Sequence, residues 1–286
     1  MMNSDINKWD FVITSKRRLF DFNISELWKY RDLTWFFIKR DYKAIYKQTV
    51  LGPIWLFLQP LLSSFVYVII FNKIAKISTD EVPPHLFYLS GIILWNYFYS
   101  CLNQTSNTFG QSNAIFNKVY FPRLIDPISK VISNLLRLAI QFILFLTFYS
   151  FYMLKGFNSF SPNFTLLILI PLLILQLGLI SQGLGMMISA LTVKYRDLIY
   201  LVSFGSQLIM YITPIVYPAS IVPERYMFLI LANPLTYIIE AFRHIFLNTG
   251  FFNIFQYLAS FLMALIIFFF GLILFNRMEK NSVDTV

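Results

Sequence analysis

Six long apolar stretches constrain the fold of this chain more than any other feature of its sequence. A helix needs about 20 apolar residues to cross the roughly 30 Å hydrocarbon core of a bilayer. Charged residues make up only 13% of the chain, against about 25% in a soluble domain. The sequence therefore predicts an all-α membrane protein with six transmembrane helices, at about 51–71, 86–106, 131–154, 166–191, 198–217 and 254–275.

The pattern predicts three regions: a cytoplasmic N-terminal segment at 1–50, a six-span transmembrane domain at 51–275 and a short cytoplasmic tail at 276–286. The first 50 residues are too polar, and the first apolar run is too long, for a cleaved signal peptide. The single cysteine, Cys101, lies inside an apolar run, so disulfides are expected to play no part.

The basic residues predict the orientation, because cytoplasmic loops carry an excess of Lys and Arg. With the N-terminus inside, the inner segments 1–50, 107–130, 192–197 and 276–286 carry 17 of these residues, and the outer segments carry five. Both termini are therefore predicted to be cytoplasmic. The formal net charge of +9 is explained by basic loops that face anionic lipid, so no nucleic-acid partner is expected.

Residues 218–250 are ambiguous. Their apolar runs, 226–232 and 235–247, are separated by Asn233-Pro234, and the proline disfavours one continuous helix. A seventh span would place the basic C-terminal tail outside, against the distribution of charge. We expect two short re-entrant helices that dip into the outer leaflet between spans five and six, with protein around them.

An amphipathic helix is predicted directly before the first span. Asn23 and Glu26 form a capping-box pattern, and aromatic and apolar residues then recur at roughly helical spacing as far as Ile45. Trp and basic residues on such a helix indicate an element that lies along the membrane interface. A purely topogenic anchor is the alternative, but it needs only a few charges.

Enzymatic signatures are weak. The sequence has no Gly-x-x-x-x-Gly-Lys-Ser/Thr motif, no His-Glu-x-x-His motif and no cysteine pair, so neither a cofactor nor a metal is expected in this chain. Glu240 and His244 are four residues apart and could pair as a base and its orienting group. A structural polar contact is the simpler explanation, because no nucleophile accompanies them.

Polar residues inside the spans have two open interpretations, a polar pathway or dimer seam, and hydrogen bonds that hold the bundle together. Gly178, Gly183 and Gly185 would allow helices to approach closely. The polar residues concerned are Asn96, Asn103, Gln104, Arg137, Gln141, Gln176, Gln182 and Gln207.

Two inner loops are unusual. Residues 112–128 are too apolar for a free loop, and Pro122 and Pro127 break them into short pieces, which is typical of a docking surface that a partner covers. The second loop is the tight charged connection Lys194-Tyr195-Arg196-Asp197 between spans four and five.

Five sequence motifs, in order along the chain, carry a resemblance to a known family. From about residue 24 onwards, the chain resembles the membrane subunit of a type-2 ABC exporter for polysaccharides, the permeases for O-antigen, capsule and teichoic acid. The motifs are Leu51-Gly52-Pro53-Ile54-Trp55 with Gln59-Pro60, the run 91–98 (GIILWNYF), Asn117-Lys118-Val119-Tyr120-Phe121-Pro122-Arg123, Tyr195-Arg196-Asp197, and Thr213-Pro214-Ile215 with Tyr217-Pro218 and Asn233-Pro234.

This resemblance implies a homodimeric channel in the bacterial inner membrane, with two copies of a separate ATPase subunit that bind ATP and Mg²⁺. The substrate would be a polysaccharide on a polyprenyl diphosphate carrier. Its diphosphate would meet Arg40, Lys43 and Lys47. The implied coupling residues are Asn117, Lys118, Tyr120, Phe121, Pro122 and Arg123, with Tyr195, Arg196 and Asp197 as a second inner loop; the channel or seam candidates are Trp55, Asn96, Asn103, Arg137 and Gln141.

Two other classes of protein are alternatives to the exporter. An integral-membrane transferase acting on lipid-linked sugars should show paired carboxylates or a His–Asp set at the membrane surface, and only Asp80-Glu81 pairs outside the N-terminal segment. An ion-coupled flippase would need ionisable residues within its spans, and Arg137 alone gives it little support.

Overall fold

The described part of the chain is built from helices. A computed structural model describes residues 24–47, 52–111, 121–157 and 162–283, and every regular element in these ranges is helical, which confirms the all-α class. The helices are α1 (Ile24–Lys29), α2 (Arg31–Tyr46), α3 (Ile54–Tyr67, continued as a π-helix over Val68–Ile74), α4 (Pro84–Ser106), α5 (Thr108–Gln111), α6 (Ile125–Leu154), α7 (Ile170–Thr192), α8 (Ile199–Ile212), α9 (Glu224–Leu231), α10 (Pro234–Leu247) and α11 (Ile254–Val283). Short 3-10 turns lie at Leu166–Leu169, Arg196–Leu198 and Ala219–Ile221.

Within the described residues, four helical segments are long and apolar enough to cross a membrane. They are Ile54–Ile74, Ile125–Leu154, Leu166–Thr192 and Ile254–Glu279, and each coincides with one of the six predicted spans. The chain is therefore a multi-pass membrane protein.

The other two predicted spans correspond to helices that differ from these four. The stretch 86–106 forms α4, which has 23 residues but a lower mean hydropathy. The stretch 198–217 is helical in α8 for only 14 residues. Thr213 ends this helix with an extended backbone (ψ 137°), because the following Pro214 disfavours the helical conformation.

Helix α4 lies at the centre of the bundle. It contacts α3, α6, α7, α8 and α10, and its side chains from Leu86 to Phe98 are almost all buried. A helix that is surrounded by protein needs no lipid-compatible surface, so its lower hydropathy follows from its position. Three of the four more apolar helices, α3, α6 and α7, pack directly against it, and all four present exposed apolar side chains to the outside.

Glycines on α7 bring three helices into backbone contact. A Cβ atom on Gly183 would lie 2.7 Å from Cα of Phe268 on α11, and Gly271 of α11 lies directly against the Gly183 carbonyl. On the other side of α7, a Cβ on Gly185 would lie 2.6 Å from Cβ of Thr105 on α4. The prediction that these glycines permit close approach is confirmed, and it explains how α7 packs against both neighbours.

Residues 218–250 contain two short helices, as the sequence predicts. Asn233 separates α9 from α10: its side-chain oxygen accepts a hydrogen bond from the Leu235 amide (3.0 Å), and its amide nitrogen donates to Thr213 Oγ1 (2.7 Å). At 8 and 14 residues, both helices are too short to span a bilayer. Eleven of the α10 residues are buried, so the helix is covered by protein.

The Gly183 crossing gives a stability prediction. Replacing Gly183 by Leu should lower the thermal unfolding midpoint of the detergent-solubilised protein, because overpacking a close helix contact costs about 1–3 kcal/mol. Gly205→Ala on α8 is the matched control, since a Cβ at that position meets no atom within 4 Å. Equal midpoints for Gly183→Leu and wild type would contradict the close crossing.

Candidate functional site

Four charged residues join α2 to the start of α6. Asp41 of α2 accepts a hydrogen bond from Lys130 Nζ (2.8 Å) and pairs with its neighbour Arg40 (2.9 Å), and Arg40 in turn lies 4.0 Å from the Asp126 carboxylate. Asp126 and Lys130 are one turn apart on α6, so each helix contributes one acid and one base. We call these four residues the charge quartet; their formal charges sum to zero.

An aromatic contact beside the quartet covers part of the first inner loop. Phe121 is 5% exposed and packs edge-on against Phe37 of α2, with 5.7 Å between the ring centroids. Ile125 completes the cluster. The expectation that a partner chain must cover Phe121 is therefore wrong, because the N-terminal helix of the same chain covers it.

The side of the N-terminal helices that faces away from the Phe37–Phe121 contact is exposed and aromatic. Trp28 and Trp35 are 69% and 56% exposed, and each carries a cation over its ring, Arg31 and Lys39 respectively. Aromatic and basic side chains together on an exposed helix face are typical of an element at the membrane interface.

Three of the six coupling candidates lie in a segment outside the described residues, and the other three follow it directly. Asn117, Lys118 and Tyr120 belong to that segment. Within the described part, the Arg123 amide donates to Glu279 near the end of α11 (3.2 Å), and the Arg123 guanidinium lies 5.6 Å from the Phe109 ring. This loop is thus attached to α5 and α11 as well as to α2, and Pro122 lies between its two contacts.

The diphosphate candidates share one face of α2 but differ in their surroundings. Arg40, Lys43 and Lys47 are spaced at i, i+3 and i+7, which places them on one side of a helix. Lys43 and Lys47 are exposed. Arg40 is engaged with Asp41 and stacks on Phe37 at 4.5 Å, so its charge is already largely compensated.

The second inner loop is exposed at Tyr195, Arg196 and Asp197. Tyr195 is extended, and the 3-10 turn Arg196–Leu198 leads directly into α8. Within this loop, the Lys194 ammonium lies over the Tyr195 ring at 5.1 Å.

A ladder of side-chain hydrogen bonds connects α4 with α6. Its donors and acceptors recur at i, i+4 and i+8 on α4 and at i, i+3 and i+7 on α6, so the bonds lie one above the other. The three rungs are Asn96–Gln141 (3.4 Å), Ser100–Arg137 (3.1 Å) and Gln104–Asn134 (3.1 Å).

The ladder brings together three of the five channel or seam candidates, Asn96, Arg137 and Gln141. Asn103 instead bonds within α4, to Tyr99 Oη (3.4 Å). Trp55 lies apart from them on α3 and is 49% exposed. Three of these candidates thus form hydrogen bonds between helices, and their role in a channel or seam stays a prediction.

A second polar cluster lies at the other end of the bundle, around Arg243 of α10. This arginine is 1% exposed, donates to the carbonyl oxygens of Pro214 (2.6 Å) and Ile215 (2.9 Å), and lies 3.7 Å from the Phe87 ring of α4. It also pairs with Glu240 at 3.2 Å. The guanidinium thus fastens α10 to α4 and to the segment after α8.

The Arg243 cluster corrects the proposed Glu240–His244 pair. Glu240 is bound by Arg243, and the His244 ring stacks on Phe252 at 5.9 Å with its Nδ1 atom buried and unpartnered. Glu240 therefore has the structural role that is the simpler explanation, but its partner is Arg243 and not His244. The described residues also contain no group of three or more His, Cys, Asp or Glu that could hold a metal ion.

Comparison with known proteins agrees with this architecture. The model of the ABC-2 type transporter family matches residues 32–247, which is most of the chain. The chain belongs to the ABC-2 type transporter family. This match includes α2, the first inner loop, the polar ladder and α10, so the features described above lie inside the family's own domain.

Several curated members of the ABC-2 family are similar to this chain over nearly their whole length. The O-antigen export system permease protein RfbA of Klebsiella pneumoniae is 28% identical, covering 88% of this chain and 94% of that protein. RfbA of Myxococcus xanthus is 27% identical (78% and 83% covered), and the polysialic acid transport protein KpsM of Escherichia coli is 23% identical (86% and 93% covered).

Sequence reasoning missed several residues of these clusters. Ser100 and Asn134 complete the polar ladder of this ABC-2 protein, and their spacing of four and three residues from Asn96, Gln104 and Arg137 was the available signal. Asp41 could not be assigned a partner from spacing, because Lys130 is 89 residues away in the chain. Arg243 is one of the five basic residues that the charge distribution places in outer segments, although it lies within an apolar run.

The Arg243 cluster leads to a prediction for this ABC-2 protein. Arg243→Met should destabilise it by about 3–5 kcal/mol, because Glu240 is left as an unpaired buried charge. The double variant Arg243→Met/Glu240→Gln should recover part of the loss. Thermal unfolding in detergent measures both, and exposed Arg225→Met, expected to change stability by less than about 0.5 kcal/mol, is the control. A wild-type midpoint for Arg243→Met would exclude a structural role for the pair.

Proposed function

We propose that this chain is the channel-forming subunit of an ATP-driven exporter that moves a lipid-linked polysaccharide, such as O-antigen, across the inner membrane. The observation that carries the proposal is the similarity to O-antigen and polysialic acid permeases over almost the full length of those proteins. The chain itself would not hydrolyse ATP.

The proposed architecture has six spans with both termini in the cytoplasm. Helix α4 would be the second span, since its polar residues are enclosed by other helices. Helix α8 and the following residues as far as 217 would be the fifth, and α9 and α10 would be re-entrant. Contacts between Phe37 and Phe121 and between Arg123 and Glu279 support this arrangement, because they join three of the four basic segments at one end of the bundle.

A second copy of this chain would complete the channel. Helix α8 supports the homodimer, because only Val202 and Ser206 among its residues are buried in the protomer. Its exposed face includes Ser203 and Gln207, and lipid offers no hydrogen-bond partner to an exposed amide. We propose that the partner copy covers this face.

Two copies of an ATPase subunit, which would bind ATP and Mg²⁺, are proposed to dock at the basic end. The segment 117–123 would couple the two subunits, with Tyr195, Arg196 and Asp197 as a second contact. Because Phe121 packs on α2 while Arg123 is attached to α11, a push on this loop would reach both elements. These attachments support a coupling role more directly than the apolar composition of the loop.

The diphosphate of the lipid carrier is proposed to meet Lys43 and Lys47, with Arg40 beside them. The two lysines are exposed near the end of α2, directly before the first span. A cation that is free of acidic neighbours can bind a phosphate, and Arg40 contributes less because Asp41 occupies it.

The coupling role predicts that variants of the first inner loop fold and reach the membrane but do not export. Arg123→Glu should leave the protein in the membrane but abolish surface polysaccharide, and the ATPase of the purified complex should no longer respond to the substrate. Phe121→Asp should do the same by releasing α2. Membrane abundance, surface glycan and ATPase rate are measured together.

Exposed Arg225→Glu at the opposite end is the matched charge reversal and should export normally. Normal surface polysaccharide in the Arg123→Glu strain would refute the coupling role. Absence of any co-purifying ATPase from the wild-type chain would refute the exporter itself.

The diphosphate site predicts a loss of binding that is unequal among the three cations. Replacing Lys43 and Lys47 by Gln should weaken binding of a polyprenyl diphosphate sugar on the order of 100-fold, since each of the two charge-assisted hydrogen bonds contributes ~1.5 kcal/mol. Adding Arg40→Gln should have a smaller further effect. Lys29→Gln with Arg31→Gln is the matched control for lost charge, and unchanged binding by the Lys43/Lys47 variant would exclude this site.

A further inference from the structure

From Leu86 onwards, the partly exposed surface of α4 is confined to one strip, and every residue of that strip is polar. Between Leu86 and Asn107, all side chains that are not buried lie on one side of the helix, within an arc of about 140° at 100° per residue. These residues, which we call the polar strip, are Asn96, Tyr99, Ser100, Asn103, Gln104 and Asn107. The strip extends for about 16 Å along the axis, at 1.5 Å per residue.

The polar strip opens towards one end of the protein only. Asn107 marks the basic end, close to α5. Beyond Asn96 the same face of the helix continues with Leu89, Ile92 and Ile93, which are 0–3% exposed. The partly exposed surface that the strip forms, which we call the polar recess, therefore begins at the basic end and stops near the middle of α4 against apolar packing.

Arg137 stands beside the recess and is incompletely paired. Its Nη1 atom donates to Ser100 of the strip (3.1 Å), and its Nε atom is buried without a hydrogen-bond partner. No ion pair among the described residues includes Arg137. A guanidinium at this depth is stable only where water or a polar ligand reaches it, so hydrocarbon cannot fill the recess.

The chemistry of the strip selects among possible occupants. Its amides and hydroxyls offer both donors and acceptors and include no carboxylate, which matches the hydroxyl groups of sugars better than a cation path. A seam between two helices is typically formed by small side chains, whereas this strip contains Asn, Gln and Tyr. An extended sugar chain, with hydroxyls on all sides, could contact several strip residues at once.

Resting on the proposed export function, we propose that the polar strip and Arg137 line a water-filled vestibule that receives the hydroxyl groups of the exported glycan from the basic end. The amide ladder has a second role in this arrangement. Gln141 and Asn134 of α6 hold Asn96 and Gln104 in place, so that their remaining donors and acceptors face the vestibule.

Thiol labelling of the intact complex tests the vestibule. The probe is a charged, membrane-impermeant methanethiosulfonate applied to inside-out vesicles. Ser100→Cys is nearly isosteric, and Leu136→Cys is the matched control, because Leu136 lies at the same depth but is 43% exposed on the outer face of α6. Wild-type protein gives the background, since its single cysteine, Cys101, is buried.

Ser100→Cys should react on the order of 100-fold faster than Leu136→Cys, because charged groups are excluded from hydrocarbon. The reaction should slow in vesicles from cells that accumulate the lipid-linked polysaccharide, compared with cells in which its synthesis is blocked. Equal, slow reaction at both positions would overturn the vestibule. Fast reaction that the polysaccharide does not slow would overturn the glycan assignment.

Different results would refute the export function and the vestibule. If cells that lack the chain still place their polysaccharide on the surface, the export function is refuted whatever the labelling pattern. If wild-type cells depend on the chain while Asn96→Leu/Gln104→Leu cells export at the wild-type rate, the vestibule is refuted and the exporter stands.

Discussion

A bilayer offers no hydrogen-bond partner to a polar side chain, and the arrangement of this protein depends on how that constraint is met. The least apolar of the long helices, α4, lies in the centre, and four apolar helical segments can face lipid around it. Once α4 is central, its polar side chains must bond to neighbours or to water. Asn96 and Gln104 bond to α6, and the glycines of α7 let that helix approach closely from another side.

The two ends of the bundle use charge differently. At the basic end, the charge quartet joins two helices through shared pairs in which the Arg40 side chain is 35% exposed and the Asp126 side chain 2% exposed, so Arg40 can exchange partners. Arg40 lies between Asp41 and Asp126. At the other end, Arg243 is fully buried with four hydrogen-bond partners and an aromatic ring, so loss of any partner is costly. We infer that the Arg243 end is held rigidly, while the quartet end is suited to movement.

Hydrophobic length and helix-breaking residues predicted much of this fold from the sequence. The four lipid-facing spans, the split at Asn233-Pro234 and the helix before the first span all follow from such local signals. The polar ladder and the Asp41–Lys130 pair did not, because both depend on which helices become neighbours. Phe121 shows the same limit: its apolar character correctly predicted a covered surface, but the sequence could not tell a partner chain from α2 of the same chain.

The depth of the polar recess bears on how a hydrophilic chain can pass a sealed membrane. A polar path that crossed the whole bilayer in one protomer would leak ions, whereas this recess ends at Leu89, Ile92 and Ile93. Because these residues continue the same face of α4, opening the path requires the helices over that face to separate, not a rotation of α4. The rigid Arg243 cluster holds α10 and the end of α8 against α4 at this closed end. Because that cluster contacts α4 at Phe87 and Ser90, on other sides of the helix, it can hold α4 in place while the helices over the closed face separate.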